Sequence, residues 1–98
     1  MSAPGYVVAQ IEVTDPEAYP RYVAMVGPIV ERFGGTFLVR GGRSESHEGT
    51  PPGSRTVVIR FPSYQSARDW YHSEDYAEAK ALRQSASTSV QTIVEGVT

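Results

Sequence analysis

From Tyr6 to Val13 the chain alternates strictly. Val7, Ala9, Ile11 and Val13 fall on one side, Tyr6, Val8, Gln10 and Glu12 on the other. A period of two predicts a strand, and its wholly apolar side belongs under helices. The period then lengthens: Tyr19, Tyr22, Val23, Val26, Val30 and Phe33 recur by threes and fours, forming one stripe of a helix. Asp15 is placed to cap that helix, Pro16 suits its first position, and Glu17 adds negative charge at the positive end of the dipole. Pro28, inside the run, removes a backbone bond and predicts a kink near Ala24. Gly34 is placed to end the helix in a left-handed conformation.

Thr36 to Arg40 predicts a short second strand, bracketed by the glycine pairs Gly34-Gly35 and Gly41-Gly42. Counted by twos, Phe37 and Val39 face the helices, whereas Thr36, Leu38 and Arg40 face away. Gly41 to Ser54 is a polar connection rich in turn residues, longer than compact domains usually carry and of the kind that forms lids and binding loops. Arg55 to Phe61 predicts the third strand, with Val57, Ile59 and Phe61 on the apolar side and Thr56, Val58 and Arg60 on the mixed side. Ser63 caps a second helix that buries Ala67, Trp70 and Tyr71. Ser73-Glu74-Asp75 reads as a fresh cap, so this helix breaks and restarts with Tyr76, Ala79 and Leu82 inward. Ser85 to Ser87 then forms a polar bridge. Thr88 to Val97 is the fourth strand, with Val90, Thr92 and Val94 on one side and Gln91, Ile93 and Glu95 on the other; Ile93 is expected on the mixed face.

The order β-α-β-β-α-β, with two helical segments to cover four short strands, predicts an α+β, ferredoxin-like fold. Its four-stranded antiparallel sheet runs 4-1-3-2 in space, with both helices on one face. Residues 1–98 make one domain. The mixed face is left uncovered, and an exposed half-apolar sheet face calls for a partner. A second copy of the chain is the expected one, which makes a homodimer.

Composition narrows the function more than the fold. A chain of 98 residues buries roughly 60–70% of its unfolded surface, so a further buried face would help it. The formal net charge is −2, and no lysines and arginines run together, which argues against nucleic-acid binding. There is no cysteine, hence no disulfide, thiolate nucleophile or zinc-thiolate site. Met1 to Gly5 lacks the charged-then-apolar pattern of a leader, and no apolar run approaches the ~20 residues of a membrane helix. A cytoplasmic protein with no membrane partner is expected.

Candidate chemistry is sparse. In the predicted sheet Glu12, Thr56 and Arg40 fall in one row of the mixed face, and Arg60, Tyr6 and Glu95 in another at the opposite end. Neighbouring strands lie about 4.8 Å apart, so each acid and arginine can meet across the strand between them. These pairs are either compensated charges at the rim of a dimer interface, or a pocket in which Arg40 anchors a carboxylate or enolate through its fork of donors. His47 and Glu48, adjacent in the long loop, are the candidate acid and base. The alternative is a solvated loop. Tyr22, Trp70 and Tyr76, with Tyr19 and Tyr71, are either packing between helices and sheet or the wall of a small aromatic or lactone pocket. His47 and His72 lack spaced carboxylates, so no metal site is expected. No Gly-x-Ser-x-Gly elbow, phosphate-loop glycine-lysine pattern or dinucleotide glycine motif is present, and no cofactor is expected.

Several short pieces, in order, resemble a known family. They are Gly5-Tyr6, Asp15-Pro16-Glu17 with Tyr19 and Tyr22, Gly34-Gly35, Arg40-Gly41-Gly42, Glu48-Gly49, Phe61-Pro62-Ser63, Trp70-Tyr71, Ser73 through Tyr76, and Glu95-Gly96. Together they resemble the bacterial "domain of unknown function 1330" family over nearly the whole chain; the loop from Ser44 to Ser54 is longer and more polar than that pattern. The resemblance implies membership of the dimeric α+β barrel group, in which two ferredoxin-like sheets face each other. That group includes cofactor-free monooxygenases, small-ring isomerases, dehalogenating or haem-degrading enzymes, and members with no known activity. Three functions are therefore compatible with the residues: a cofactor-free enzyme on a small acidic or cyclic metabolite, a non-catalytic ligand-binding dimer, and a self-association module.

Overall fold

The computed structural model describes residues 3–98; Met1 and Ser2, on which the reading of the N-terminal segment partly rests, lie outside the described residues. The elements are β1 (Gly5–Val13), α1 (Tyr19–Arg32), β2 (Thr36–Arg40), β3 (Arg55–Phe61), α2 (Tyr64–His72), α3 (Glu74–Ala86) and β4 (Ser87–Glu95). The strands form one antiparallel sheet in the order β2-β3-β1-β4. This is the expected ferredoxin-like α+β architecture, with its second helix split in two.

The core lies between the helices and one sheet face. Val7, Ala9 and Ile11 of β1 and Val57, Ile59 and Phe61 of β3 are buried there against Tyr22, Val26 and Val30 of α1, Ala67 and Trp70 of α2, and Tyr76 and Ala79 of α3. In β1 and β3, burial follows the alternation of the sequence.

α1 starts three residues later than Asp15-Pro16 suggests. The Asp15 carboxylate still accepts from the amides of Glu17 (3.2 Å) and Ala18 (3.1 Å), but it caps a turn that leads into the helix. The reason is Pro20. A helix begun at Pro16 would need a Pro20 amide to donate one turn back, and proline has none. Beginning at Tyr19 puts Pro20 in the first turn, where no donor is required. The helix continues through Pro28, which lies on the exposed side with Ala24, so the carbonyl left without its helical donor is on the solvent face. Gly34 takes φ +79° and ends the helix, its amide donating to the Glu31 carbonyl. Ser63 and Ser73 both cap as expected: the Ser63 hydroxyl accepts from the Ser66 amide and the Ser73 hydroxyl from the Tyr76 amide. No polar bridge follows α3. Ala86 ends the helix and Ser87 begins β4.

Two strands present faces other than those expected. In β2, Phe37 pairs with Ile59, Val39 with Val58 and Arg40 with Val57, so Leu38 is an extra residue in a β-bulge. The bulge restarts the alternation. Val39 joins the open face and Arg40 joins the helix face, the reverse of the sequence count. In β4, Ile93 stands beside Val7 on the helix face, whereas Val90 and Val94 stand beside Gln10 and Tyr6 on the open face. The open face carries the row Val39–Val58–Val8–Thr92 across all four strands. On it Val39, Val90 and Val94 are 40%, 54% and 46% exposed.

Candidate functional site

The register separates the residues expected to act together. Gln10, not Glu12, lies opposite Thr56, and Arg40 is on the other side of the sheet; Glu12 sits opposite Thr88. The row Glu12–Thr56–Arg40 therefore does not form. Tyr6 and Arg60 are cross-strand partners on the open face, as expected, but Glu95 pairs with Gly5 and belongs to the helix face. His47 is 82% exposed, with Nε2 3.3 Å from the Glu45 carboxylate. His47 and Glu48 border a shallow surface hollow together with Gln10. Neither lines the cleft that holds Arg40.

That cleft lies between α1 and the helix face of the sheet, and the bulge is what brings Arg40 to it. Phe37, Arg40, Arg55, Tyr19, Tyr22, Trp70 and Gln91 line it, above a floor of Val7, Ala9, Ile11, Val57 and Ile59. The Arg40 guanidinium lies 4.1 Å from the centre of the Phe37 ring and donates through Nη2 to the Val23 carbonyl at 2.9 Å. The Arg55 guanidinium stands over Tyr19, 5.4 Å from the ring centre. Gly41 makes room for it: a Cβ there would run into the Arg55 guanidinium, and the φ of +73° is one that side chains disfavour. Among the described residues, neither arginine is paired with a carboxylate.

The inner end of the cleft is aromatic. Trp70 stacks on Tyr76 at 4.2 Å between ring centres, and Phe61 lies 5.5 Å from Trp70. Tyr22 Oη and Tyr76 Oη share a buried hydrogen bond of 2.8 Å. Burial, and then the neighbouring Tyr76 phenol, push the Tyr22 hydroxyl far above the usual phenol range. Burial raises Tyr76 as well, but the Tyr22 hydrogen bond and the Arg83 charge pull it back. At neutral pH both are neutral phenols, and Tyr76 is the better placed to accept. Among the described residues, Trp70 Nε1–H and Arg55 Nε–H, on two residues that line the cleft, are buried without a partner. Its enclosed volume is about 20 Å³, and about 370 Å³ with the solvent-open mouth included. The enclosed part is on the order of one water in size, so a ring enters only when side chains at the mouth swing aside.

Tyr22, Trp70, Tyr76 and Arg40 are thus brought together; Tyr6, Glu12, Arg60, His47 and Glu48 stand elsewhere. Sequence reasoning missed Arg55 and Gln91. Arg55 was legible by counting two back from Val57 along the apolar face, whereas Gln91 was not, because only its pairing with Ala9 puts it on the helix face.

Residues 4–97 match the family model described as Domain of unknown function (DUF1330). The chain belongs to this family. No functionally curated protein shows significant similarity to its sequence. Among solved structures, a protein of unknown function from Rhodopseudomonas palustris is similar at 21% identity and TM-score 0.79, covering 100% of this chain and 85% of that one. SnoaB, a cofactor-independent oxygenase from Streptomyces nogalater, is similar at 12% identity and TM-score 0.63, over 99% and 96% of the two chains. Rv0793 from Mycobacterium tuberculosis is similar at 18% identity and TM-score 0.57, over 98% and 97%. At these identities the likeness is one of fold: this DUF1330 chain shares a ferredoxin-like α+β fold with these proteins.

Proposed function

We propose that the chain is a cytoplasmic homodimer that binds a small cyclic acid, rather than nucleic acid, in the cleft between α1 and the sheet. One observation carries this reading: two guanidiniums, Arg40 and Arg55, stand without a carboxylate partner at the mouth of an aromatic cleft. The forked donors suit a carboxylate or enolate. Tyr19, Tyr22 and Trp70 offer ring faces to the body of the ligand, with Tyr76 behind them. Entry requires Arg40 to leave the Val23 carbonyl, a single exposed hydrogen bond. The reading gives His47 and Glu48 no part in the cleft, and assigns Tyr6 and Arg60 to the dimer face with Glu12 near its edge.

The dimer is supported by the open sheet face, whose valine row has no cover within the chain. Sedimentation equilibrium should give twice the chain mass at micromolar concentration. A folded monomer at high micromolar concentration would overturn it.

Cofactor-free catalysis is a second reading. The Tyr22–Tyr76 pair favours it, since a phenol donor in a water-poor cleft can stabilise charge that develops on an enolate oxygen. Both readings share one binding test, a thermal-shift screen of small carboxylates, phenols and lactones against the wild-type protein and Arg40→Lys. Ligands of the cleft should stabilise the wild type and lose most of that effect in Arg40→Lys, which keeps the charge but not the fork. Compounds that stabilise both proteins equally would refute the role of Arg40.

A further inference from the structure

A third arginine poses a different question. Arg83 follows Tyr76 and Ala79 along the inner side of α3 and is only 3% exposed. Burial works against its charge, yet the guanidinium stays protonated, and the adjoining Tyr76, Tyr22 and Tyr71 phenols oppose its deprotonation. Among the described residues no carboxylate pairs with it. A buried guanidinium without a counter-charge is among the costlier arrangements in a fold.

Its polar neighbours are uncharged. Arg83 Nη1 donates to Ser89 Oγ at 2.8 Å, and Gln91 Nε2 donates to the same oxygen at 3.1 Å. Having accepted twice, the Ser89 hydroxyl has its own proton left to give, and among the described residues it donates to no group. The Arg83 Nε–H is buried and also without a partner. Arg83, Ser89 and Gln91 border a hollow of about 340 Å³ along β4. Beside it lies a second hollow of about 270 Å³, walled by Val7, Ile93, Tyr71 and His72. Tyr71 and Gln91 border both, and no acidic residue borders either. One end of this joined groove carries the Arg83 charge and no carboxylate; the other end is mainly apolar.

We propose that this groove is a binding site for a small amphipathic carboxylate. The carboxylate takes the hydroxyl proton of Ser89 and faces the Arg83 charge, while a short apolar arm lies against Val7, Ile93 and Tyr71. The site is distinct from the Arg40 mouth, although Gln91 and Val7 also line that cleft.

The test is an NMR titration of the full, isotope-labelled chain with sodium acetate, butyrate and hexanoate at constant ionic strength. Saturable shifts are expected at Ser89, Gln91 and the Arg83 Nε–H, with affinity rising about fourfold for each methylene buried. Hexylamine should produce none. Arg83→Met should lose binding more than tenfold. If that variant does not fold, Ser89→Ala, which keeps the arginine, should still weaken hexanoate at least threefold. Arg40→Lys should leave hexanoate binding unchanged, so failure of the Arg40 cleft as a site is read separately. The proposal is overturned if sodium chloride produces the same shifts, if affinity does not rise with chain length, if Ser89→Ala binds as the wild type does, or if Arg40→Lys abolishes binding.

Discussion

Deleting Leu38 should leave the fold intact and Arg40 where it is. Leu38 is the extra residue of the bulge: Phe37 opposes Ile59, Val39 opposes Val58, and nothing is left for Leu38 to oppose. Without it, Phe37, Val39 and Arg40 meet the same partners in an unbroken ladder. The side chain is 53% exposed; full burial of a leucine is worth about 1.5–3 kcal/mol, so the deletion forfeits about 1 kcal/mol of burial. A regular ladder offsets part of that, and the net change should stay within about 1 kcal/mol. The opposite result has a clear size as well. If alternation through Leu38 placed Arg40, the deletion would slip β2 by one and turn Phe37 out of the core, costing about 3 kcal/mol or more. Urea unfolding measures the difference. The position of Arg40 is read from its side-chain protons, which lie over the Phe37 ring and should keep their ring-current shift. Destabilisation beyond about 3 kcal/mol, or loss of that shift, would refute the account of the bulge.

The phenols of Tyr22 and Tyr76 are both raised by burial, so above pH ~10 the unfolded chain releases protons that the folded one holds, and stability should fall as pH rises beyond that point. Of the six tyrosines, these two should ionise only on unfolding, seen as a late step in tyrosinate absorbance. Tyr22→Phe should remove one phenol from that step and cost about 1–2 kcal/mol for the broken buried hydrogen bond, measured by urea unfolding. Gly41→Ala should cost about 1 kcal/mol from its positive φ and displace Arg55 from Tyr19, visible as a changed shift of the Arg55 Nε–H.

The order of elements and of strands in the sheet was legible because period two and period 3.6 are distinct, and because Ser63, Ser73 and Gly34 mark helix ends by local chemistry. The faces of β1 and β3 were legible for the same reason. β2 was not, because one unpaired residue reverses every later assignment and alternation cannot register an insertion. β4 was not, because Val90 and Val94 look as apolar as Ile93; only pairing with β1 decides between them. The site suffered through β2: Arg40 was recognisable as a candidate anion ligand, but its side of the sheet, and so its neighbours, depended on the bulge. Arg83 was hidden by Leu82, an equally plausible inward residue one position earlier on the helix.

The direct passage from α3 into β4 has a consequence for where the chain can grow. The Ala86 carbonyl receives the amides of Thr14 (2.9 Å) and Asp15 (3.0 Å), and the Ser87 hydroxyl donates to the Arg83 carbonyl at 2.6 Å. One peptide thus stitches the end of β1, the last turn of α3 and the start of β4 together without slack. An added residue there would shift β4 along β1 and carry Gln91 and Ser89 to the other side of the sheet. Residues 41–50, exposed throughout, have no such tie to a neighbouring strand beyond Gly41. Fusions, tags and inserted loops therefore belong in that segment, and a circular permutant opened there would keep every strand pairing.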